Sequence, residues 1–355
     1  MAASQDVVKP SSRFRVKHGK KHKIPLIPTL PQAPQIQQLK DGTQVSLFLS
    51  TTLLKSHRSL VQFLEGMENT PTLVYRDYNY PKSSKQVKSI QTQQNFVSDT
   101  LACEADIIVS PTTGVILTAS QAINQLYLPG HKPNDPEIKT IQEINSPLRE
   151  RIFRLAHRYE RLYIFISHSP VENRDRTVLA ADKGTLASVA SLTAFCTSLS
   201  SLAIVIPLMI SSLPYSHAEW ILALAHKHAT ALPNTERDIL PSGFTAINVP
   251  VTTTDRKKTN LHLTFSPEET PWEIFLRRAG LNPFAAQMVL ADLGHHNGHG
   301  PRYKSDGSHM HFCKEDSVLS RFIELDSEAR ARLFSEVVGM NTIKRIGDVI
   351  DCVVG

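Results

Sequence analysis

The chain has 355 residues, 41% apolar and 20% charged, enough to bury the cores of two ordinary domains and too apolar to be disordered throughout. Its formal charge of +6 does not mark the body as a polyanion binder: seven Lys/Arg against one acid, Asp6, lie within residues 1–23, and the remaining 32 basic and 32 acidic residues cancel. Four widely spaced cysteines, Cys103, Cys196, Cys313 and Cys352, form no CxxC pair, which excludes a disulfide-stapled small domain and points to a reducing compartment.

The N-terminal arm has no apolar stretch after its charges, so it does not read as a secretory signal. Its cluster Arg13, Arg15, Lys17, Lys20, Lys21 and Lys23 reads as a nuclear-import signal or a phosphate-binding arm, and the expected location is the nucleus. Residues 24–45 are rich in Pro and Gln and lack an apolar face, which predicts an extended linker. Residues 1–45 are thus an arm, and an α/β domain is expected over 46–230, with its core from Thr72 onward.

Within that domain the pattern predicts a strand at 45–50, an amphipathic helix at 52–64, and strands at 72–76, 106–109 and 114–118. Helices at 119–127 and 144–160, a strand at 162–167, a helix near 184–199, a strand at 202–207 and a helix at 217–228 follow. Strands alternating with helices define an α/β class. The runs LYIFIS and AIVIPL have the continuous apolar character of central strands covered on both faces. From Gly184 to Ala218 there is no Asp, Glu, Lys or Arg; the Ser/Thr content and Pro207 argue against a membrane span, and a buried helix followed by a buried strand is expected.

Residues 231–268 read as a second linker, with one candidate strand at 261–265, and 269–355 as an all-helical domain. Helices are predicted at 272–278, 284–290, 317–323, 326–337 and 343–352. Two helix pairs are joined by apolar-Gly-apolar turns, Ala279-Gly280-Leu281 and Val338-Gly339-Met340. A glycine admits positive φ in a turn too tight for a Cβ, and the next helix begins at once with free N–H groups, a small phosphate site. The residues positioned for phosphate are Gly280, Asn282, Arg277 and Arg278 in the first turn, and Gly339, Asn341, Thr342, Lys344 and Arg345 in the second. Glycine-capped αα-hairpins also occur in ordinary bundles, and residues 271–355 hold ten Lys/Arg against eleven Asp/Glu.

Between Ala102 and Gln125 the chain reads ACEADIIVSPTTGVILTASQAINQ. This stretch resembles the strand-turn-strand-helix of XPF-family structure-specific nucleases, which carries Gly-Asp, then Glu-Arg-Lys, then Asp, and is followed by a tandem helix-hairpin-helix module. Asp106 matches the first acid, Ser110-Pro111 the turn and Val115 the residue before the triplet. Ile116, Leu117 and Thr118 stand where Glu-Arg-Lys would be, and Ala122 stands at the final acid. LRERIFRLAHRYERLYIFISHS and LAIVIPLMISSLPYSHAEWILALA are also similar to the family. The resemblance implies a restriction-endonuclease-like core followed by tandem helix-hairpin-helix units.

Phosphodiester cleavage in such a core needs several carboxylates for Mg²⁺ and a lysine near the attacking water, and only Asp106 is matched. The expectation is therefore a pseudonuclease without cofactor or bound metal. Inactive members of the family recognise DNA junctions or act as scaffolds: the meiotic crossover proteins of the zip-two and shortage-in-chiasmata type, and the XPF-like subunits of Fanconi repair. The resemblance implies branched or structured DNA and an unlike XPF-like subunit, in a heterodimer, as partners, with no membrane association. Phe322, Leu333, Phe334, Val337 and Ile346 are candidate interface residues or core.

Two alternatives stand beside a DNA-binding scaffold. One is a protein-binding remnant that no longer binds DNA. The other is an active nuclease using Asp106 with Glu137-Ile138-Lys139. The patch His295, His296, His299, His309, His311 and Cys313 lacks the regular spacing of a structural zinc site and reads as a loop insertion.

Overall fold

In the computed structural model, the described residues are 31, 33, 45–67, 71–78, 103–130, 132, 139–169, 171–173, 176–178, 182–229, 269–295 and 316–354. The basic arm, Glu137-Ile138, the candidate strand at 261–265 and His296, His299, His309, His311 and Cys313 lie outside them.

Six strands form one mixed sheet in the order β2-β1-β3-β4-β5-β8. They are β1 (Ser46–Ser50), β2 (Thr72–Arg76), β3 (Ile107–Ser110), β4 (Thr113–Ala119), β5 (Arg161–His168) and β8 (Ile204–Ser211). β1 and β2 are parallel, β1-β3 and β3-β4 antiparallel, and β4-β5-β8 parallel. The period-2 alternation sorts side chains between two cores. Phe48, Ile108, Ile116, Ile164 and Ile166 enter one; Leu47, Leu49, Ile107, Leu117 and Phe165 enter the other.

The second core is closed by α1 (Thr52–Ser56), α2 (Arg58–Glu65) and α6 (Pro214–Ala229), through Leu53, Leu60, Leu64, Ile221 and Leu224. The single helix expected at 52–64 is broken at His57, whose φ of −137° and ψ of 44° leave the α region. The first core is closed partly by α4 (Pro147–Ala156), which follows the short α3 (Lys139–Glu143), and partly by α5 (Lys183–Ser198). Pro147 occupies the first turn of α4, where its missing N–H costs no bond, so the helix starts later than the predicted 144. The predicted helix at 119–127 is only a 3-10 turn, Ser120–Asn124, and Leu126 and Leu128 beyond it are exposed. A small hairpin, β6 (Val171–Asn173) with β7 (Arg176–Val178), had no counterpart in the predicted elements.

The rest of the first core belongs to the C-terminal helices: α7 (Pro271–Arg278), α8 (Pro283–His295), α9 (Asp316–Glu324), α10 (Ser327–Val338) and α11 (Met340–Val354). Leu276, Leu281, Val289, Phe334 and Ile346 share one apolar cluster with Phe48, Ile116 and Ile164 of the sheet. Phe284 stacks on Phe48 with ring centroids 4.8 Å apart. Helices and sheet therefore bury apolar surface against each other. Phe322, Phe334, Val337 and Ile346 are core, and only Leu333 of the candidate interface residues is exposed.

The uncharged segment departs from expectation. AIVIPL forms an edge strand, and Ile204 is 54% exposed. Only Leu192 and Cys196 of α5 are buried. A continuous apolar run does not tell a central strand from an edge strand, because the run records local residue type and not how many neighbouring strands pair with it. The Ile204 N–H donates to the carbonyl of Glu160, just ahead of β5, at 2.9 Å. By alternation, the position of Pro207 faces the open edge, where its missing N–H blunts strand addition. Among the described residues no helix is long and apolar enough to cross a membrane.

Candidate functional site

The stretch that resembles the nuclease motif lies where β3 and β4 meet α4. Asp106, just ahead of β3, donates its backbone N–H to the Val115 carbonyl at 3.0 Å. Its Oδ2 accepts the Leu117 N–H at 2.8 Å. Arg151 of α4 closes on the same carboxylate, Nη2 to Oδ1 at 2.8 Å and Nη1 to Oδ2 at 3.2 Å, and Nη2 also donates to the Glu104 carbonyl. Burial alone depresses the Arg151 pKa, but the Asp106 carboxylate outweighs it and the net shift is upward. The pair is a forked, charge-assisted contact.

Next to it, Ile116 is fully buried against the helices, Leu117 points into the opposite core, Thr118 is half-buried near the strand end and Ala122 lies in the 3-10 turn. A divalent cation needs several hard oxygens at about 2.0–2.6 Å. Both oxygens of Asp106 are already engaged, and the triplet positions offer two hydrocarbons and a hydroxyl. Among the described residues no three His, Cys, Asp or Glu side chains converge. The residues present do not fit the metal that the motif resemblance implies.

Both turn glycines adopt the expected backbone, Gly280 with φ of 117° and Gly339 with φ of 94°. In the first turn the Gly280 N–H reaches the Arg277 carbonyl and the Leu281 N–H reaches the Leu276 carbonyl, the paired closure of a glycine-terminated helix. What differs from expectation is where the polar side chains go. Asn282 is fully buried; its Oδ1 caps α8 by accepting the Ala285 N–H at 3.0 Å, and its Nδ2 donates to the Pro111 carbonyl at 2.7 Å. Arg277, also fully buried, lies against Glu269 and over the Tyr78 ring, with Glu104 3.7 Å away. Neither side chain faces outward toward phosphate.

The second turn is committed in the same way. Glu160, between α4 and β5, inserts its carboxylate into the start of α11: Oε1 accepts the Thr342 N–H at 2.9 Å and the Thr342 hydroxyl at 3.1 Å, and Oε2 accepts from Asn341 Nδ2 at 3.0 Å. Arg345 donates to the Leu202 carbonyl at 2.8 Å and to the Thr342 hydroxyl at 3.2 Å. Its pKa is lowered, chiefly by burial, with Glu160 partly opposing. Of the residues expected to meet phosphate, Arg278, Asn341 and Lys344 are exposed, and Asn341 already serves Glu160.

A buried charge network joins sheet and helices. Glu104 accepts from Arg158 Nη1 at 2.6 Å and from the Tyr159 hydroxyl at 2.5 Å, while Arg158 Nη2 donates to the Arg277 carbonyl at 2.9 Å. Burial first, then the Glu104 charge, pushes the Tyr159 pKa well up. Arg76 of β2 meets Glu273 of α7 at 3.0 Å, both buried. Sequence reasoning missed Glu104, Glu160 and Glu273. The available signal was that Glu104 and Glu160 flank otherwise apolar strands, and that Glu273 follows Thr270 at capping-box spacing, with the Thr270 hydroxyl accepting its N–H at 3.2 Å.

The fold is a mixed α/β sheet core followed by a helical C-terminal region. The chain belongs to the family described as a domain of unknown function (DUF7102), whose model matches residues 35–238. A second family model, described as a SAM-like domain, matches residues 266–350. Among solved structures the chain is similar to XPF from Aeropyrum pernix, with 14% identity, a TM-score of 0.30, and coverage of 86% of this chain and 97% of that one. No curated protein matches the chain.

Proposed function

We propose that this protein is a non-catalytic scaffold of XPF-like ancestry that binds branched or structured DNA together with a partner subunit, in nuclear recombination or repair. The meiotic crossover proteins are the preferred analogue by motif resemblance. The observation that supports the non-catalytic part is the Asp106–Arg151 pair, in which the guanidinium engages both oxygens of the single matched carboxylate. Purified protein with Mg²⁺ or Mn²⁺ should leave flap, fork and junction substrates intact. Single-turnover cleavage that Asp106→Asn abolishes would sink this reading.

The partner surface is the face formed by α5 and β8. Leu186 is 41% exposed there, and no Asp, Glu, Lys or Arg occurs from Gly184 to Ala218. Charge depletion marks the centre of an interface, and charge on the opposing surface would be desolvated without a partner. The occupant that fits is a subunit offering its own uncharged helix-strand face, packed face to face because Pro207 blunts the edge. The DNA surface consists of Arg278, Lys344 and the basic arm; salt-sensitive binding that weakens on Lys344→Glu supports it.

A second reading is a protein-binding remnant that has lost DNA binding. It is favoured by the internal commitment of Arg277, Asn282, Thr342 and Arg345. Partner association with no DNA shift at low salt would decide for it.

A further inference from the structure

The start of α11 presents backbone N–H, hydroxyl and amide donors in one cradle, and Glu160 fills it from the sheet domain. The fit is close. A Cβ built on Gly339 would lie 2.2 Å from Glu160 Cγ and 2.5 Å from Oε1, so the turn tolerates the carboxylate only because residue 339 has no side chain. Glu160 is itself held at both backbone ends, its N–H by the Thr112 carbonyl at 3.0 Å and its carbonyl by the Ile204 N–H at 2.9 Å. A carboxylate held by its backbone and bonded at both oxygens satisfies the helix-terminal donors as an external anion would.

We infer that Glu160 is an intramolecular latch: it occupies the anion cradle of the second hairpin, fastens α10 and α11 to the sheet, and closes that cradle to nucleic-acid phosphate. The regulatory half of this inference rests on the DNA-binding reading above; the latch does not. Arg345 strengthens the closure, because its second bond goes to the Leu202 carbonyl, at the loop leading into β8. Opening therefore requires the cradle to separate from Glu160 and Arg345 from Leu202. Thr342 carries the contact, since its N–H and its hydroxyl both reach Oε1.

The experiment is a pair of readouts on the full chain with Glu160→Ala and the gentler Glu160→Gln, which keeps one acceptor oxygen. Residue-resolved amide exchange reports the latch without any DNA. The Thr342 amide should exchange at least tenfold faster in Glu160→Ala and by a smaller factor in Glu160→Gln, while amides of β4 and β5 keep wild-type protection. Unchanged Thr342 exchange in folded Glu160→Ala overturns the latch. Fluorescence anisotropy with a four-way DNA junction at low salt reports the regulation, with affinity expected to rise about tenfold in Glu160→Ala. If Thr342 loosens and no variant binds the junction, the latch stands and the DNA-binding reading falls. If wild type binds and Glu160→Ala binds no better, closure against phosphate is overturned.

Discussion

The guanidinium of Arg76, at the end of β2, lies 3.0 Å from the carboxylate of Glu273 in α7, and the two side chains are 2% and 1% exposed. Glu273 also accepts from Gln287 of α8 at 3.0 Å. A buried pair of this kind is poor evidence of net stability but strong evidence of coupling, because removing one partner leaves a charge in a low-dielectric interior. Arg76→Met should cost about 3–5 kcal/mol in urea unfolding, whereas Arg76→Met with Glu273→Leu should return most of it. Equal losses in single and double variants would show that the pair does not couple the helices to the sheet.

Restoring the motif acid should not restore a nuclease. Ile116 is fully enclosed between β4 and the helical layer. Ile116→Glu should destabilise the protein by at least ~3 kcal/mol, because the carboxylate would be buried without a partner. Thermal melting with and without Mn²⁺ checks this: a variant as stable as wild type, or one stabilised by the metal, would contradict the account of the site.

His228 gives the chain a defined acid sensitivity. Burial, then the Arg161 and Lys227 charges, bring its pKa down from 6.5 to about 4. The folded value lies below the unfolded one, so the folded state resists protonation. Stability from this group is fully present above about pH 6.5 and is lost as pH falls through about 4, amounting to on the order of 2 kcal/mol after allowance for partial exposure. The urea midpoint should fall across that window in wild type and fall less in His228→Phe.

Charge placed on the exposed side of α5 separates docking from folding. Ala190 and Ala194 are exposed, so Ala190→Lys or Ala194→Lys should change monomer stability by no more than about 0.5 kcal/mol. Affinity purification from nuclease-treated nuclei should recover the partner at least tenfold less well with either variant. Recovery equal to wild type would move the interface elsewhere.

Gly114 tests the packing behind the motif. A Cβ there would lie 2.9 Å from the Tyr159 ring and 3.0 Å from Ala105 Cβ, within the layer that holds Glu104. Gly114→Ala should cost roughly 1–3 kcal/mol by overpacking, visible as a lower thermal midpoint.

Much of the local chain was legible beforehand. The strands β1, β2 and β4 and the positive-φ glycines, Gly280 and Gly339, follow from residue type and spacing, because each constraint acts within a few residues. Reading α5 as buried and β8 as central failed for the converse reason: an uncharged segment satisfies the same local pattern whether or not another layer covers it.

The turn at Gly339 marks the same division. Its sequence alone determined that the chain reverses there and exposes the first donors of a helix. Only the tertiary structure decided what those donors meet, because Glu160 lies far away along the chain and reaches Thr342 only once β5 is in the sheet and α11 packs against it. Likewise the sequence put two hydrocarbons and a hydroxyl at Ile116, Leu117 and Thr118, while the fold decided that Arg151 would pair with Asp106. Helix and strand periodicity is local chemistry; the pairing of charges depends on which surfaces the folded chain brings within about 3 Å.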